Sequence, residues 1–310
     1  MRSPAPHELP PPPPGKDGWP WTAEEILSPG EPPDSRGCPR ISIVTPSFNQ
    51  GLYLEEAIRS VLLQGYPDLE YIIIDGCSKD QSIDIIRKYS PWIKYWVSEP
   101  DRGQSHAINK GFEKASGLVF GWLNSDDILA PRALMQLIAL REENPDAVAW
   151  VGACKDVDAE GNFLRKRLPR PGSQRQFANW SRDAWIPQPS CLFDAKTFRD
   201  VGLLDESLHY VMDVDLWMRL ARKGRFASTN EIISFARMYD GIKSRKDIPM
   251  QQAEHILICF RQGLPQVART RMSQCMTFAL DAWPYRRLLP YFIKRTLLWS
   301  WHCFRRFCGR

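Results

Sequence analysis

Residues 41–75 read ISIVTPSFNQGLYLEEAIRSVLLQGYPDLEYIIID, and this stretch decides the fold class. It begins with a short apolar run at 41–45. Apolar side chains at helical spacing follow within residues 52–64, and a second apolar run occupies 70–75. Strands that are apolar on both faces and alternate with helices are typical of a parallel sheet covered on both sides. The stretch therefore predicts a strand, a helix and a second, parallel strand.

The same alternation continues to residue 127. Residues 81–89 and 103–115 have helical spacing, and the apolar runs within 94–101 and 118–127 predict a third and a fourth strand. The pattern is less regular after residue 130, although helices and strands still alternate as far as an apolar run at 231–239. The chain is therefore predicted to be an α/β protein with a mostly parallel sheet flanked by helices.

Polar and acidic side chains gather where the predicted strands end. In parallel α/β sheets, ligands bind at the carboxyl ends of the strands, so side chains at these ends are expected to meet in one site. Four separate strands would not all end in such groups merely to form turns. The side chains at these ends are Thr45, Ser47, Asp75, Glu99, Asp101, Asp126 and Asp127.

The fourth strand ends in the sequence GWLNSDD, residues 121–127. One interpretation is that Asp126 and Asp127 lie in a solvated turn or cap the helix that begins near Pro131. The other is that they bind Mg²⁺ or Mn²⁺, which prefer a few carboxylates together with substrate phosphates. Asn124 and Ser125 offer neutral oxygens beside them. Because the chain contains neither GxxxxGK[ST] nor GxGxxG, the second interpretation implies a metal-bridged nucleotide diphosphate without those loops.

Two further residues could supply positive charge to such a diphosphate. Arg102 and Lys110 follow the third predicted strand and can add positive charge opposite the diphosphate. Arginine binds phosphate oxygens through its planar fork, and lysine binds them as a point charge. Both are therefore expected to face the diphosphate.

A second acidic centre opens a predicted helix at residues 213–224. Acidic residues favour helix N-termini, so Asp213 and Asp215 could serve only that purpose. Alternatively, one of them removes a proton from a substrate hydroxyl. Since residues i and i+2 point to different faces of a helix, one acid could enter a cleft while the other caps or pairs.

Composition excludes several classes of protein. The net charge of +5 over 310 residues is too small to indicate nucleic-acid binding. The eight cysteines form neither CxxC pairs nor zinc spacings, which favours a reducing compartment. Residues 1–39 include PPPPP but no secretory signal, and they predict a mostly disordered leader in which Trp19 and Trp21 are candidates for local docking.

The C-terminal segment, residues 241–310, is predicted to be helical, basic and aromatic. Its end, RRLLPYFIKRTLLWSWHCFRRFCGR, has no uninterrupted apolar run of the length of about 20 residues that spans a bilayer. A basic helix rich in Trp, Phe and Leu suits a membrane surface, and the alternative is a helix packed on the main domain. We expect a protein on the cytoplasmic face of a membrane.

Three stretches together resemble glycosyltransferase family 2. They are ISIVTPSFNQGLYLEEAIRSVLLQGYPDLEYIIIDGCSKDQS at 41–82, SEPDRGQSHAINKGFEKASGLVFGWLNSDD at 98–127, and VGLLDESLHYVMDVDLWMRLARKG at 201–224. The resemblance covers about residues 40–245, in order. It implies a GT-A fold over residues 40–240, with a Rossmann-like nucleotide-binding half at 40–127 and an acceptor half at 128–240.

The resemblance also implies an activity, namely transfer of a sugar with inversion from a nucleotide diphosphate donor, with UDP as the default base. The acceptor would be a hydroxyl of a saccharide or a lipid-linked glycan. Asp75 would accept a hydrogen bond from the base, and Arg102 and Gln104 would lie near the diphosphate or donor sugar. The strand-end residues that would border the nucleotide are Thr45, Pro46, Ser47 and Asn49.

For the chemistry itself, the resemblance implies that Asp126 and Asp127 carry Mn²⁺ or Mg²⁺, with Asn124 and Ser125 beside the donor. Asp213 matches the general base, with Asp215 in support. Gln188 would sit in the acceptor cleft.

The chain departs from the family pattern at four places. Asn124 stands where many relatives have a carboxylate, and Cys77 replaces a small residue. His106 replaces an Asp, and Tyr239 lies near the place of a missing late His. His106 is either a structural side chain or an influence on the choice of donor sugar. Two other functions stay open: a sugar-nucleotidyltransferase, and a non-catalytic scaffold subunit with the same fold.

Overall fold

The computed structural model describes residues 3–22, 37–243 and 246–281. The chain divides into two compact units, and the first ends at Lys243, where the sequence predicts a boundary at 240. The described part of the second unit forms two helices, α8 at Ile248–Arg261 and α9 at Pro265–Asp281. The sequence predicts a helical segment from 241 onward, whereas the basic, aromatic end of the chain lies outside the described residues.

A mixed sheet forms the first unit. The described strands are β1 Ile41–Ser47, β2 Leu69–Asp75, β3 Tyr95–Ser98, β4 Val119–Trp122, β5 Ile128–Leu129, β6 Ala149–Val157, β7 Phe163–Arg167, β8 Cys191–Asp194 and β9 Phe226–Arg237. Their order in the sheet is β3-β2-β1-β4-β8-β6-β9-β5, with β7 paired to β6. The first four strands of this order are parallel, which confirms the strand–helix alternation predicted through residue 127.

Helices flank this sheet. Every residue of β1 and β2 is buried, as expected for strands covered on both faces. From β4 onward the pairing changes, because β8 is antiparallel to both β4 and β6. The described helices of this unit are α1 Gly51–Leu62, α2 Ser82–Tyr89, α3 Gln104–Lys114, α4 Ala133–Glu143, α5 Gln174–Ala178, α6 Ala195–Val201 and α7 Met212–Leu220.

The prediction of a mostly disordered leader is wrong for residues 3–22, which pack on this unit. Leu9 and Trp21 are buried, and the Trp19 indole donates to the Leu129 carbonyl at 2.8 Å. Proline-rich chain leaves carbonyl oxygens without internal partners. Arg59 of α1, itself buried, donates to the carbonyls of Pro10, Pro20 and Trp21. The buried guanidinium of Arg59 therefore holds the segment in place together with the contacts of Trp19 and the buried Leu9 and Trp21. Residues 23–36 lie outside the described part.

No helix among the described residues combines the length and the apolar character needed to cross a membrane.

Candidate active site

The acidic loop, residues 123–127, joins β4 to β5 at the carboxyl end of the parallel strands. Asp127 is buried, and it accepts hydrogen bonds from the Asn124 side-chain amide at 3.0 Å and from the Arg237 backbone amide at 3.3 Å. Asp126 accepts one from the Tyr239 hydroxyl at 2.9 Å. Helix α4 has Arg132 as its N-cap residue, so neither acid caps it. The capping interpretation is therefore excluded.

Arg237, the last residue of β9, fixes this loop and was missed by the sequence analysis. Its guanidinium is buried and donates to the Asp126 backbone carbonyl at 3.3 Å, to the Ala159 carbonyl at 2.7 Å and to the Glu56 carboxylate at 2.9 Å. It also lies 4.6 Å from the centre of the Tyr53 ring. The position of Arg237 at the end of an apolar strand is the same signal that selected the acids.

Burial makes the charged forms of the acidic pair costly. Desolvation raises the pKa of Asp126, and desolvation together with the charge of Asp126 raises the pKa of Asp127. Arg237 opposes both shifts but is already engaged with Glu56. Two adjacent carboxyl groups held in this way favour a bound cation, which would stabilise both charges.

The donor set suits Mg²⁺ or Mn²⁺. Asp126 and Asp127 would hold the ion, and among the described residues no cluster of three His, Cys, Asp or Glu side chains is placed to enclose it. A hard cation with two protein carboxylates takes its remaining ligands from water and substrate phosphates. The site therefore fits a metal that is completed by a diphosphate.

A chain of amides extends from Asp127. The Asn124 amide nitrogen that donates to Asp127 also donates to the Gln188 side chain at 3.1 Å, and the Asn124 oxygen accepts from Gln104 at 2.7 Å. Gln188 donates in turn to the Trp122 carbonyl at 2.7 Å. The structure thus brings Gln104, Asn124 and Gln188 together beside the acidic loop, so Gln188 lies next to the predicted donor residues.

Lys243 reaches this chain from the end of the unit. Its ammonium group donates to the Gln104 side-chain oxygen at 2.8 Å and lies 6.0 Å from the centre of the Tyr210 ring. Its positive charge also acts on Asp213, where it lowers the pKa against the larger, opposite effect of burial. Nothing in the sequence pattern singled out Lys243, which stands after the last strand.

Arg102 and Lys110 are engaged elsewhere in the structure. Two nitrogens of Arg102 donate to the Glu206 carboxylate, at 2.6 and 3.0 Å, and Lys110 forms an ion pair with Glu99. The backbone amide of Arg102 donates to Nδ1 of His106 at 3.1 Å, which gives His106 a structural contact. In this arrangement both cations predicted to face the diphosphate are paired with carboxylates.

The predicted nucleotide residues line the ends of β1 and β2. Thr45, Pro46 and Ser47 are buried, and within the described part of the chain the Ser47 hydroxyl makes no hydrogen bond. The Tyr71 hydroxyl donates to Thr45 at 3.0 Å. Asn49 is exposed, and its side-chain oxygen accepts from a backbone amide at 2.8 Å. An orphaned buried hydroxyl at this edge is a natural partner for a ligand.

Asp75 has no exposed surface. Its carboxylate accepts from the backbone amide and hydroxyl of Ser78 and from the Ser98 hydroxyl, at 2.5 to 2.9 Å. Because none of its surface is exposed, a nucleotide base could reach the Asp75 carboxylate only if the side chains around it moved. Ser125, beside the acidic pair, is also buried.

Helix α7 carries the second acidic centre. Asp213 accepts from the Val214 amide at 2.8 Å, and desolvation raises its pKa to about 6. Asp215 is buried and forms an ion pair with Arg219 at 2.8 Å. Arg219 also donates to backbone carbonyls at 201 and 202, at the end of α6. This placement suits a supporting role for Asp215 rather than contact with a substrate.

Stacked tryptophans connect the two acidic centres. Trp217 of α7 is fully buried, and its ring lies 5.6 Å from that of Trp122, at an interplanar angle of 12°. Trp122 ends β4, immediately before the acidic loop. The helix that carries Asp213 is therefore packed directly against the strand that leads to Asp126 and Asp127.

Comparison with known proteins identifies the family. The family model described as Glycosyl transferase family 2 matches residues 42–201, about half of the chain. The chain belongs to glycosyltransferase family 2. Among similar curated proteins, an uncharacterized glycosyltransferase of Rickettsia typhi is 29% identical over 208 residues, which cover 65% of each chain. The chondroitin synthase of Escherichia coli is 24% identical over 71% of this chain and 32% of its own length.

Solved structures confirm the GT-A fold. S. aureus TarS 1–349, in complex with UDP-GlcNAc, matches with a TM-score of 0.63 and 16% identity over 82% of this chain and 79% of its own. The mannosyltransferase PcManGT from Pyrobaculum calidifontis, in complex with GDP-Man and Mn²⁺, matches with a TM-score of 0.53 and 16% identity, over 88% and 86% of the two chains. The chain spans less than two thirds of the length of the curated relatives it matches first.

Proposed function

We propose that this member of glycosyltransferase family 2 transfers a sugar, with inversion, from a nucleotide diphosphate donor to a hydroxyl acceptor. One observation carries the proposal: Lys243 contacts the amide chain that ends at Asp127, and its charge also acts on Asp213. These contacts support our inference that the buried acidic pair and the separate acid Asp213 act in one cleft. Transfer needs both, one for the leaving diphosphate and one for the acceptor proton.

On the donor side, Asp126 and Asp127 would hold Mn²⁺ or Mg²⁺. The bound ion supplies charge that stabilises the diphosphate as it leaves. Asn124, itself held by Gln104, keeps Asp127 oriented, and the two amides would be available to the donor. Arg237 holds the loop in place through its bonds to the Asp126 carbonyl and the Glu56 carboxylate.

On the acceptor side, Asp213 would act as general base. Its carboxylate takes the proton of the acceptor hydroxyl while that oxygen bonds to the anomeric carbon and the bond from this carbon to the diphosphate breaks. A pKa of about 6 leaves Asp213 ionised at neutral pH and makes it a stronger base than an ordinary aspartate. Attack from the face opposite the leaving group inverts the anomeric configuration, and no covalent enzyme intermediate forms.

The donor base and the acceptor are also proposals. A UDP-sugar is our first choice, and TarS bound to UDP-GlcNAc and PcManGT bound to GDP-Man and Mn²⁺ support a nucleotide-sugar donor in this fold. A saccharide or lipid-linked acceptor, and attachment of the basic C-terminal end to a membrane, remain predictions. A cytoplasmic location likewise remains a prediction from the scattered cysteines of the sequence.

Calorimetric titration with nucleotides tests this function. We expect one of UDP, GDP or dTDP to bind the full chain in Mn²⁺ or Mg²⁺ and to lose at least about tenfold in affinity when a chelator is added. Asp126→Asn should show the same loss without the chelator, because it removes one charged ligand. Asp200→Asn, which alters an exposed acid paired with Lys196, is the matched control and should bind like the wild type.

Failure of folded protein to bind any of these nucleotides would favour the scaffold function. Binding of a nucleoside triphosphate in preference to the diphosphate would favour the sugar-nucleotidyltransferase.

The same titration tests whether Lys243 is the cation that faces the diphosphate. We expect Lys243→Met to weaken nucleoside diphosphate binding about tenfold, the size of one charge-assisted hydrogen bond, and to leave the nucleoside monophosphate unaffected. Lys110→Met is the matched control, since the Lys110 ammonium is paired with Glu99. The opposite result, a loss in Lys110→Met alone, would restore the prediction made from the sequence.

A further inference from the structure

The hairpin of β6 and β7 exposes a cluster of large apolar side chains. Phe163 is 60% exposed, Leu164 50% and Leu168 47%. They lie within six consecutive residues, and in the described part of the chain β7 pairs only with β6. Clustered apolar side chains at the surface of a folded protein mark a site of interaction.

Cations accompany these apolar groups on the outer face of the hairpin. Lys155 of β6 lies directly opposite Lys166 of β7 in the strand register, and its ammonium is 5.7 Å from the centre of the Phe163 ring. Like charges directly across a strand pair repel each other. Among the described residues, no carboxylate forms an ion pair with either lysine. The outer face, defined by Lys155, Phe163, Leu164, Lys166 and Leu168, is therefore apolar and cationic.

The acids of the hairpin do not neutralise this outer face. Asp156 is buried beneath the other face, where it forms ion pairs with Arg165 and Arg167, both at 2.7 Å. Asp158 accepts hydrogen bonds inside the turn, from the backbone amides of residues 160 and 162 and from the Asn162 side chain. Glu160 stands at the tip of the turn. An anionic partner on the outer face would relieve the repulsion between the lysines.

The hairpin adjoins the acidic loop through Arg237. The guanidinium of Arg237 donates to the carbonyls of Asp158 and Ala159 in the turn, and its other contacts hold the acidic pair. Any partner that binds the hairpin therefore lies at the same end of the sheet as the proposed active site.

We propose that the outer face of the β6–β7 hairpin docks on a membrane surface that contains anionic lipid headgroups. Leucine and phenylalanine enter the interfacial layer, and lysines contact the headgroups. A second copy of the chain paired along β7 is disfavoured, because edge lysines oppose strand pairing. The step from docking to a lipid-linked acceptor rests on the proposed function, whereas docking itself does not.

Vesicle sedimentation of the full chain tests the proposal. We expect binding to phosphatidylcholine vesicles that contain phosphatidylglycerol, and weak binding to pure phosphatidylcholine. Leu164→Ser with Leu168→Ser should weaken binding at least tenfold, and Lys155→Gln with Lys166→Gln should reduce its salt dependence. Leu118→Ser with Leu203→Ser, which changes exposed leucines elsewhere, is the matched control and should bind like the wild type. Amide hydrogen exchange at 163–168 should slow when vesicles are present.

Unchanged vesicle binding in both hairpin variants, with no slowing of exchange at 163–168, would overturn the proposal and assign any binding to another part of the chain. A concentration-dependent dimer that is lost in the leucine variant would overturn it in favour of a second copy. Nucleotide titration of the same variants should match the wild type, so failure of docking is distinguished from failure of the proposed transfer.

Discussion

Replacing Asp213 with asparagine is expected to lower the rate of sugar transfer by about 100- to 10,000-fold, the range typical for loss of a general base. Asparagine is nearly isosteric and still accepts the hydrogen bond from the Val214 amide, so the fold and nucleotide binding should be preserved. Transfer measured at saturating donor, together with calorimetric nucleotide binding, separates the two effects. An unchanged rate in Asp213→Asn would remove this residue as the base.

The pH profile of this pair of proteins gives an independent readout. Wild-type transfer should fall as pH drops below about 6, because protonated Asp213 cannot take a proton, and Asp213→Asn should lack this limb. The stability of the folded state depends on pH in the opposite direction to the rate of transfer. Since burial raises the pKa of Asp213 from 3.8, its ionised form destabilises the folded state above about pH 6. Asp213→Asn should therefore be more stable by up to about 3 kcal/mol at pH 7 to 8, and this gain should shrink towards pH 4.

Arg237→Met is expected to have the largest effect on stability, a loss of about 3 to 5 kcal/mol in the free energy of unfolding. The substitution leaves the Glu56 carboxylate without its buried partner and removes the donors to the carbonyls of Asp126 and Ala159. Metal-dependent nucleotide binding should weaken as well, since the acidic loop loses its support. Chemical denaturation measures the first effect and calorimetry the second.

The double variant Arg237→Met with Glu56→Gln serves as the control for this prediction. It removes the uncompensated carboxylate, so it should recover part of the lost stability and show non-additive coupling between the two residues. Nucleotide binding should stay weak, because the contact with the Asp126 carbonyl is still missing. A loss below about 1 kcal/mol in Arg237→Met would contradict the role of Arg237 as the residue that fixes the loop.

Sequence patterns predicted the parallel half of the sheet because each of its strands is marked by an apolar run of consecutive residues. β1 and β2 are buried along their whole length, and their apolar runs stand out in the sequence. The acids of the 123–127 loop stand out for the converse reason, since charges at the end of a buried strand are costly unless they have partners.

Long-range pairing explains what the sequence could not predict. Arg102 finds Glu206 more than one hundred residues away, and Arg237 reaches Glu56 across an even longer separation. Lys243 acquires a role only because the end of the unit returns to Gln104. The prediction of a disordered leader was wrong for residues 3–22 because their placement depends on long-range contacts. Arg59 of α1 binds the carbonyls of Pro20 and Trp21, and nothing in the sequence around Arg59 indicates these bonds.

The stereochemistry of the product tests the central claim most directly. Proton NMR can follow the full chain with Mn²⁺ and an α-linked nucleotide sugar, starting with UDP-GlcNAc and GDP-mannose and with water or an added saccharide as acceptor. Inverting transfer through Asp213 predicts that the sugar first appears as the β anomer, and that chelator abolishes the signal. First appearance of the α anomer, or no turnover of any donor by folded protein that binds the nucleotide, would contradict the account.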